Sequence, residues 1–153
     1  MKTPCLMRAL AIATLGVSAN ACNSPTQSTA ADLSVNMTAS RAQFRSGDTT
    51  TFTTSIVNNG ETTVVIAESS CVAYFEVSSG SHLVAPGQPI CAAVAFSPIV
   101  LAAGETRQFK EVWHGENRTL QVMLNSGAYS VRSRVNTSVG AIVSTPLSIQ
   151  ILP

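Results

Sequence analysis

From Leu33 onward, apolar side chains recur at every second position in short runs, and no stretch keeps the i, i+3, i+4 spacing of an amphipathic helix. Leu33, Val35 and Met37 alternate with Ser34, Asn36 and Thr38, while Phe52, Thr54 and Ile56 share one face of a run from Thr49 to Val57. Further runs at Thr62 to Ala67, Cys71 to Val77, Ile90 to Phe96, Arg107 to Trp113, Tyr129 to Asn136 and Leu147 to Leu152 are divided by Gly, Pro, Asn and Ser clusters. Arg45-Ser46-Gly47-Asp48 is expected to turn the chain, and Asn58-Asn59-Gly60 carries a hairpin-like turn signal. Turns about a dozen residues apart predict an all-β antiparallel sandwich of about seven to eight strands rather than an α/β fold. Aromatic residues are only 5% of the chain against 45% apolar in all, so Val, Ile, Leu and Ala must supply most of the core. A net charge of +1 with no Lys/Arg cluster leaves no electrostatic footprint for nucleic acid, and none is expected as a partner.

The segment before these runs has a different character. Lys2 and Arg8 precede an apolar stretch from Ala9 to Val17, followed by small residues ending in Ala19-Asn20-Ala21, the layout of a secretory signal. The stretch falls well short of the roughly 20 residues a bilayer span needs. Cleavage after Ala21 would expose Cys22, and here the leader resembles a bacterial lipoprotein signal, in which a small residue is followed by a Cys that is lipidated. The resemblance implies a signal peptide over 1–21, lipidation of Cys22, attachment to a membrane through that lipid, and residence in the cell envelope. Asn23 after the Cys hints at the outer membrane. The same Ala-x-Ala serves an ordinary secretory peptidase, which would release a soluble secreted protein. Residues 22–31 are small, polar and uncharged, a tether rather than a core, so the folded domain is expected over 32–153. Loss of the leader removes Cys5 and leaves Cys22, Cys71 and Cys91, which cannot all pair. With Cys22 acylated in a disulfide-permitting compartment, Cys71 and Cys91 are left to bridge, the alternative being two free buried thiols.

Two motifs narrow the sandwich to an immunoglobulin-like form. Leu101-Ala102-Ala103-Gly104-Glu105-Thr106 sets a glycine turn before Phe109 and Trp113, whose even spacing puts both on one face. Leu124-Asn125-Ser126-Gly127-Ala128-Tyr129 then enters a strand at Tyr129, resembling the tyrosine corner of Greek-key sandwiches. Trp113, Gly127 and Tyr129 are therefore assigned structural roles, against the alternative of an interfacial Tyr or an aromatic ligand patch. Val57-Asn58-Asn59-Gly60, Tyr74-Phe75-Glu76-Val77, Leu101-x-x-Gly104-Glu105-Thr106 with Phe109 and Trp113, and Gly127-x-Tyr129-x-Val131 together resemble the bacterial intracellular proteinase inhibitor (BsuPI-like) domain over roughly 48–136. The chain departs from that pattern at Ser70-Cys71-Val72-Ala73, where the family has Ser-Gly, and in 80–98, which carries a second Cys and three prolines. The resemblance implies an immunoglobulin-like fold more than an activity, and no inhibitory loop carries over residue by residue.

Groups able to do chemistry are sparse. His82 and His114 are the only histidines, both in turn sequences, without a G-x-S-x-G elbow, a metal-ligand spacing or a phosphate loop nearby. No catalytic residue, metal or cofactor is expected. Glu111 and Glu116 flank Trp113 and could face a cleft, although solvation is the commoner use of such a pair. Arg132 and Arg134 leave one face of a strand, beside Asn136, where an anion or partner could dock or where charge simply keeps a sheet face solvated. Asn36, Asn117 and Asn136 head glycosylation sequons that have no routine meaning in a bacterial lipoprotein. The chain is thus expected to be a noncatalytic envelope lipoprotein with an immunoglobulin-like binding or accessory module. The alternative is a proteinase inhibitor presenting a disulfide-framed loop, Ser78 to Ile90, which includes Ala85-Pro86-Gly87-Gln88-Pro89, with Pro86 and Gly87 as candidate contacts and a protease or other envelope protein as partner.

Overall fold

The computed structural model describes residues 32–67, 72–85, 97–137 and 140–153. The leader, tether and Cys22 lie outside these residues, as do Cys71, Cys91, Pro86, Gly87 and the expected strand from Ile90 to Phe96. Within them the chain is all strand: β1 (Leu33–Ala39), β2 (Gln43–Arg45), β3 (Thr50–Asn58), β4 (Val64–Ala67), β5 (Ala73–Ser79), β6 (His82–Ala85), β7 (Ile99–Leu101), β8 (Thr106–Trp113), β9 (Glu116–Asn117), β10 (Val122–Met123), β11 (Gly127–Thr137), β12 (Gly140–Val143) and β13 (Leu147–Leu152). The count exceeds the expected seven to eight because segments of two to four residues, such as β2, β6, β9 and β10, are too short to show alternation.

One large sheet runs β1-β3-β8 and a second β2-β13-β11-β5-β6 with β12 also on β11, while β4 with β7 and β9 with β10 form two-stranded sheets. In immunoglobulin lettering β1, β3 and β8 occupy the A, B and E positions, and β5, β11 and β13 the C, F and G positions. The first strand also switches sheets: β1 pairs antiparallel with β3, and after Ala39 the chain crosses over so that β2 pairs parallel with β13. This is an immunoglobulin-like β-sandwich. The longer strands form where the period-two pattern predicts them, β3 most clearly, with Thr50, Phe52, Thr54, Ile56 and Asn58 buried and the residues between half-exposed.

The core has two apolar parts. Phe44, Phe52, Phe75 and Trp113 pack ring against ring, with centroid separations from 4.8 Å for Phe52 and Phe75 to 5.8 Å for Phe75 and Trp113, and Met37, Val77, Val131, Ile149 and Ile151 surround them. Leu33, Ile56, Val64, Ile66, Leu101 and Val135 form the second part. A buried hydroxyl bridge also joins the sheets. Thr54 Oγ1 donates to Ser133 Oγ at 2.8 Å, and the Ser133 amide donates to Ser144 Oγ at 2.9 Å. Each buried polar side-chain atom among the described residues has a partner, as desolvation of an unpaired one would demand.

The expected hairpin at Asn58-Asn59-Gly60 does not form. β3 pairs with β1 and β8, while β4 belongs to a separate pair with β7. The cause is Asn58 itself, fully buried at the end of β3. Its amide nitrogen donates to the carbonyls of Thr62 at 2.7 Å and of Leu101 and Ala102 at 3.1 Å each, and its Oδ1 accepts from the Gly60 amide at 3.0 Å. The side chain ties two loops together instead of opening a two-residue turn.

Candidate functional site

β5 and β8 face one another across the gap between the sheets. The pairing of Glu111 with Phe52 and of Phe109 with Thr54 in the β3/β8 register puts both β8 side chains on the inward face, in line with Trp113. Trp113 is fully enclosed; Phe109 and Glu111 are half-buried because the sandwich opens beside them. The opening is a cleft of about 250 Å³ lined by Phe52, Thr54, Ala73, Tyr74, Phe75, Phe109, Lys110 and Glu111. Four of its eight lining residues are aromatic, and Thr54 of the inter-sheet bridge is among the others. Glu111 brings charge to its lining, and Lys110 borders it from a register position on the outward face.

Arg118 contacts two of the lining residues, Phe75 and Glu111. It follows β9, and its guanidinium lies 5.5 Å from the Phe75 ring centroid, a cation–π distance. Its Nε donates to Glu116 Oε1 at 2.9 Å, its Nη1 to Glu111 Oε1, and its Nη2 to the Val112 carbonyl. Glu116 Oε2 in turn accepts the His114 amide at 2.7 Å, and the Glu116 carbonyl accepts the Trp113 indole N–H at 2.8 Å. One arginine therefore holds both carboxylates that the sequence singled out. Sequence reasoning missed Arg118, because only the turn after β8 brings it back over β8 and β5.

The two acids titrate in opposite directions. Burial pushes the Glu111 carboxyl above the usual carboxylate range, outweighing the charge and hydrogen bond of Arg118. Burial acts on Glu116 too, but the Arg118 hydrogen bond, backbone N–H donors and the Arg118 charge together pull it below that range. Folding thus disfavours ionised Glu111, a penalty present above its folded pKa and relieved as pH falls through it. Ionised Glu116 stabilises the fold above its unfolded value, and that contribution is lost as pH falls through its lowered folded pKa. Relative to wild type, as pH rises from about 2 to neutral, Glu111→Gln should gain stability above the ordinary Glu value of about 4.3, whereas Glu116→Gln should lose it below that value. Urea denaturation across that range checks this, and parallel trends for the two variants would refute it.

The other predicted site residues are dispersed. Arg132 is not a free cation: its Nε donates to Glu76 Oε2 at 2.8 Å across the β11/β5 register. Arg134 lies between Tyr74 and Val143 on the neighbouring strands, so the two arginines share a sheet face but not a role. Tyr129 sits at the start of β11 and its hydroxyl donates to the Asn125 carbonyl four residues upstream at 2.7 Å, with Gly127 beside its ring. His114 is exposed, and His82 is the exposed first residue of β6, not part of the turn, which Gly80 makes with φ of 57°. The stretch from Ser78 to Ala85 is the β5/β6 hairpin, paired Ser79 to His82 and Ser78 to Leu83. Asn117 is buried with its amide on the Val84 carbonyl at 2.6 Å and its Oδ1 on the amides of Thr119 and Leu120, so that sequon offers no open side chain. No group of three or more potential metal ligands occurs among the described residues.

No protein-family profile and no curated protein sequence matches this chain. Among solved structures it is similar to the alkylpurine DNA glycosylase AlkC of Pseudomonas fluorescens, at 11% identity and a TM-score of 0.52, over 80% of this chain and 31% of that one. A β-glucosidase of Erythrobacter marinus aligns at 15% identity and 0.48 over 78% of this chain and 15% of its own, and the CARDB domain of a Pyrococcus furiosus protein at 12% and 0.45 over 79% and 88%. The chain thus spans less than a third of the glycosylase and less than a sixth of the glucosidase, and the likeness to the glycosylase is one of fold.

Proposed function

We propose that this chain is a noncatalytic cell-envelope lipoprotein whose immunoglobulin-like sandwich serves as a binding or accessory module. The cleft between β5 and β8 carries the module part of this reading. It combines aromatic lining residues with a small set of polar groups, the make-up of a recognition site. Glu111 and Glu116 are both engaged by Arg118, and carboxylates committed to one guanidinium are poorly placed to act as a general acid and base. The address rests on the leader and on Cys22.

Labelling cells with a fatty-acid analogue tests that address. Wild type should be marked and Cys22→Ser should not, and equal labelling of both would overturn it. Attachment should also survive high salt, because each buried acyl CH₂ contributes about 0.8 kcal/mol that ions do not screen.

A further inference from the structure

β8 is paired with β3 along its whole length, from Thr106 opposite Val57 to Trp113 opposite Thr50, and with no other strand among the described residues. An edge strand of this kind presents backbone N–H and C=O groups that can template another strand. Arg118 blocks the row at one end by taking the Val112 carbonyl and the Glu111 carboxylate. The run from Thr106 to Lys110 lies beyond that block. Its side chains divide by period two: Phe109 turns inward to line the cleft, and Gln108 and Lys110 stand exposed on the opposite face. Arg107 has an exposed ion pair with Glu105 at 3.3 Å, whereas no ion pair among the described residues includes Lys110.

We propose that this edge and its cleft bind an extended segment of a partner polypeptide in which apolar residues alternate with carboxylates. The segment adds a strand to β8. Its main chain pairs with the edge, an apolar side chain enters the cleft against Phe52, Phe75 and Phe109, and a carboxylate on the other face lies beside Lys110. Main-chain pairing supplies affinity in such strand addition, and alternate side chains supply specificity. Charge complementarity selects the occupant, because a basic strand would set like charges side by side at Lys110. The inference rests on the binding-module reading and gives it a partner chemistry.

The test uses the full mature chain and two synthetic peptides of equal length, one alternating valine with glutamate and one alternating valine with lysine. Trp113 packs on the two cleft rings Phe52 and Phe75, so its fluorescence reports occupancy, and amide exchange locates the contact. The glutamate peptide should bind at least about fivefold more tightly than the lysine peptide and slow exchange from Thr106 to Lys110. Lys110→Glu, at an exposed site, should reverse the order, and Phe109→Ala should weaken both peptides. Equal affinity for the two peptides, binding of neither, or full protection of the outward β8 amides in the free protein would each overturn the proposal, the last by showing that the chain covers its own edge. Loss of the Cys22-dependent label overturns the lipoprotein reading and leaves the strand assay untouched. Intact labelling with no strand binding overturns this inference alone.

Discussion

Trp113→Ala should destabilise the domain by about 3 to 5 kcal/mol, the range for truncating a fully buried aromatic side chain. Trp113 has no exposed surface and touches Phe44, Phe52 and Phe75 at centroid distances of 5.6 to 5.8 Å. The loss has two sources. The cavity opens where both sheets meet, and β3 and β5 are held from opposite sides by the same rings, so neither can collapse without disturbing its own register. The indole N–H is also removed from the Glu116 carbonyl, which loses its 2.8 Å donor beside the Arg118 network. Tyr129→Phe is the comparison: it removes one hydrogen bond, from an exposed hydroxyl to the Asn125 carbonyl, and should cost no more than about 0.5 to 1.5 kcal/mol. Denaturant midpoints separate the two. An aromatic ligand patch would leave both midpoints near wild type, and that outcome would remove Trp113 from the core.

Asn58→Ala should cost about 3 kcal/mol, because its two amide N–H groups, one of them shared, serve three carbonyls and its oxygen serves a fourth backbone group, each N–H and the acceptor contributing about 1 kcal/mol. Asn58→Asp should do more damage than alanine at neutral pH. It retains the acceptor for Gly60 but turns a second oxygen, and a negative charge, toward the carbonyls of Thr62, Leu101 and Ala102 in a position with no exposure. The penalty should shrink as the medium is acidified enough to protonate the new carboxyl. Thermal unfolding of both variants across pH checks this. An aspartate variant as stable as the alanine variant at neutral pH would show that the three carbonyls do not depend on the Asn58 amide.

The alternating runs led to the sandwich because alternation is a local property, set by which face of a pleated strand meets the other sheet. Leu33 and Met37, or Phe52, Thr54 and Ile56, are buried as that pattern requires. Tyr129 shows how far a local motif reaches: a tyrosine two residues after Gly127 at a strand entry needs only four residues of upstream chain to satisfy its hydroxyl. Charge likewise belongs to the chain as a list, so the expectation about nucleic acid was formed without coordinates.

Long-range contacts were not legible. Asn58 looks like a turn residue until Leu101 and Ala102, more than forty positions away, present their carbonyls to it. Arg132 looks like a free cation until β5 places Glu76 beside it, 56 residues earlier in the chain. Glu111 and Glu116 look like solvated acids, and although Arg118 is near both in sequence, only the fold lays its guanidinium on the distant Phe75 ring. The residue pattern alone determined that this protein is strand upon strand with Trp113 turned inward. Which polar groups are spent on one another only the tertiary structure decided, because a side chain's partner depends on where distant strands pass and its own neighbours in sequence carry no record of that.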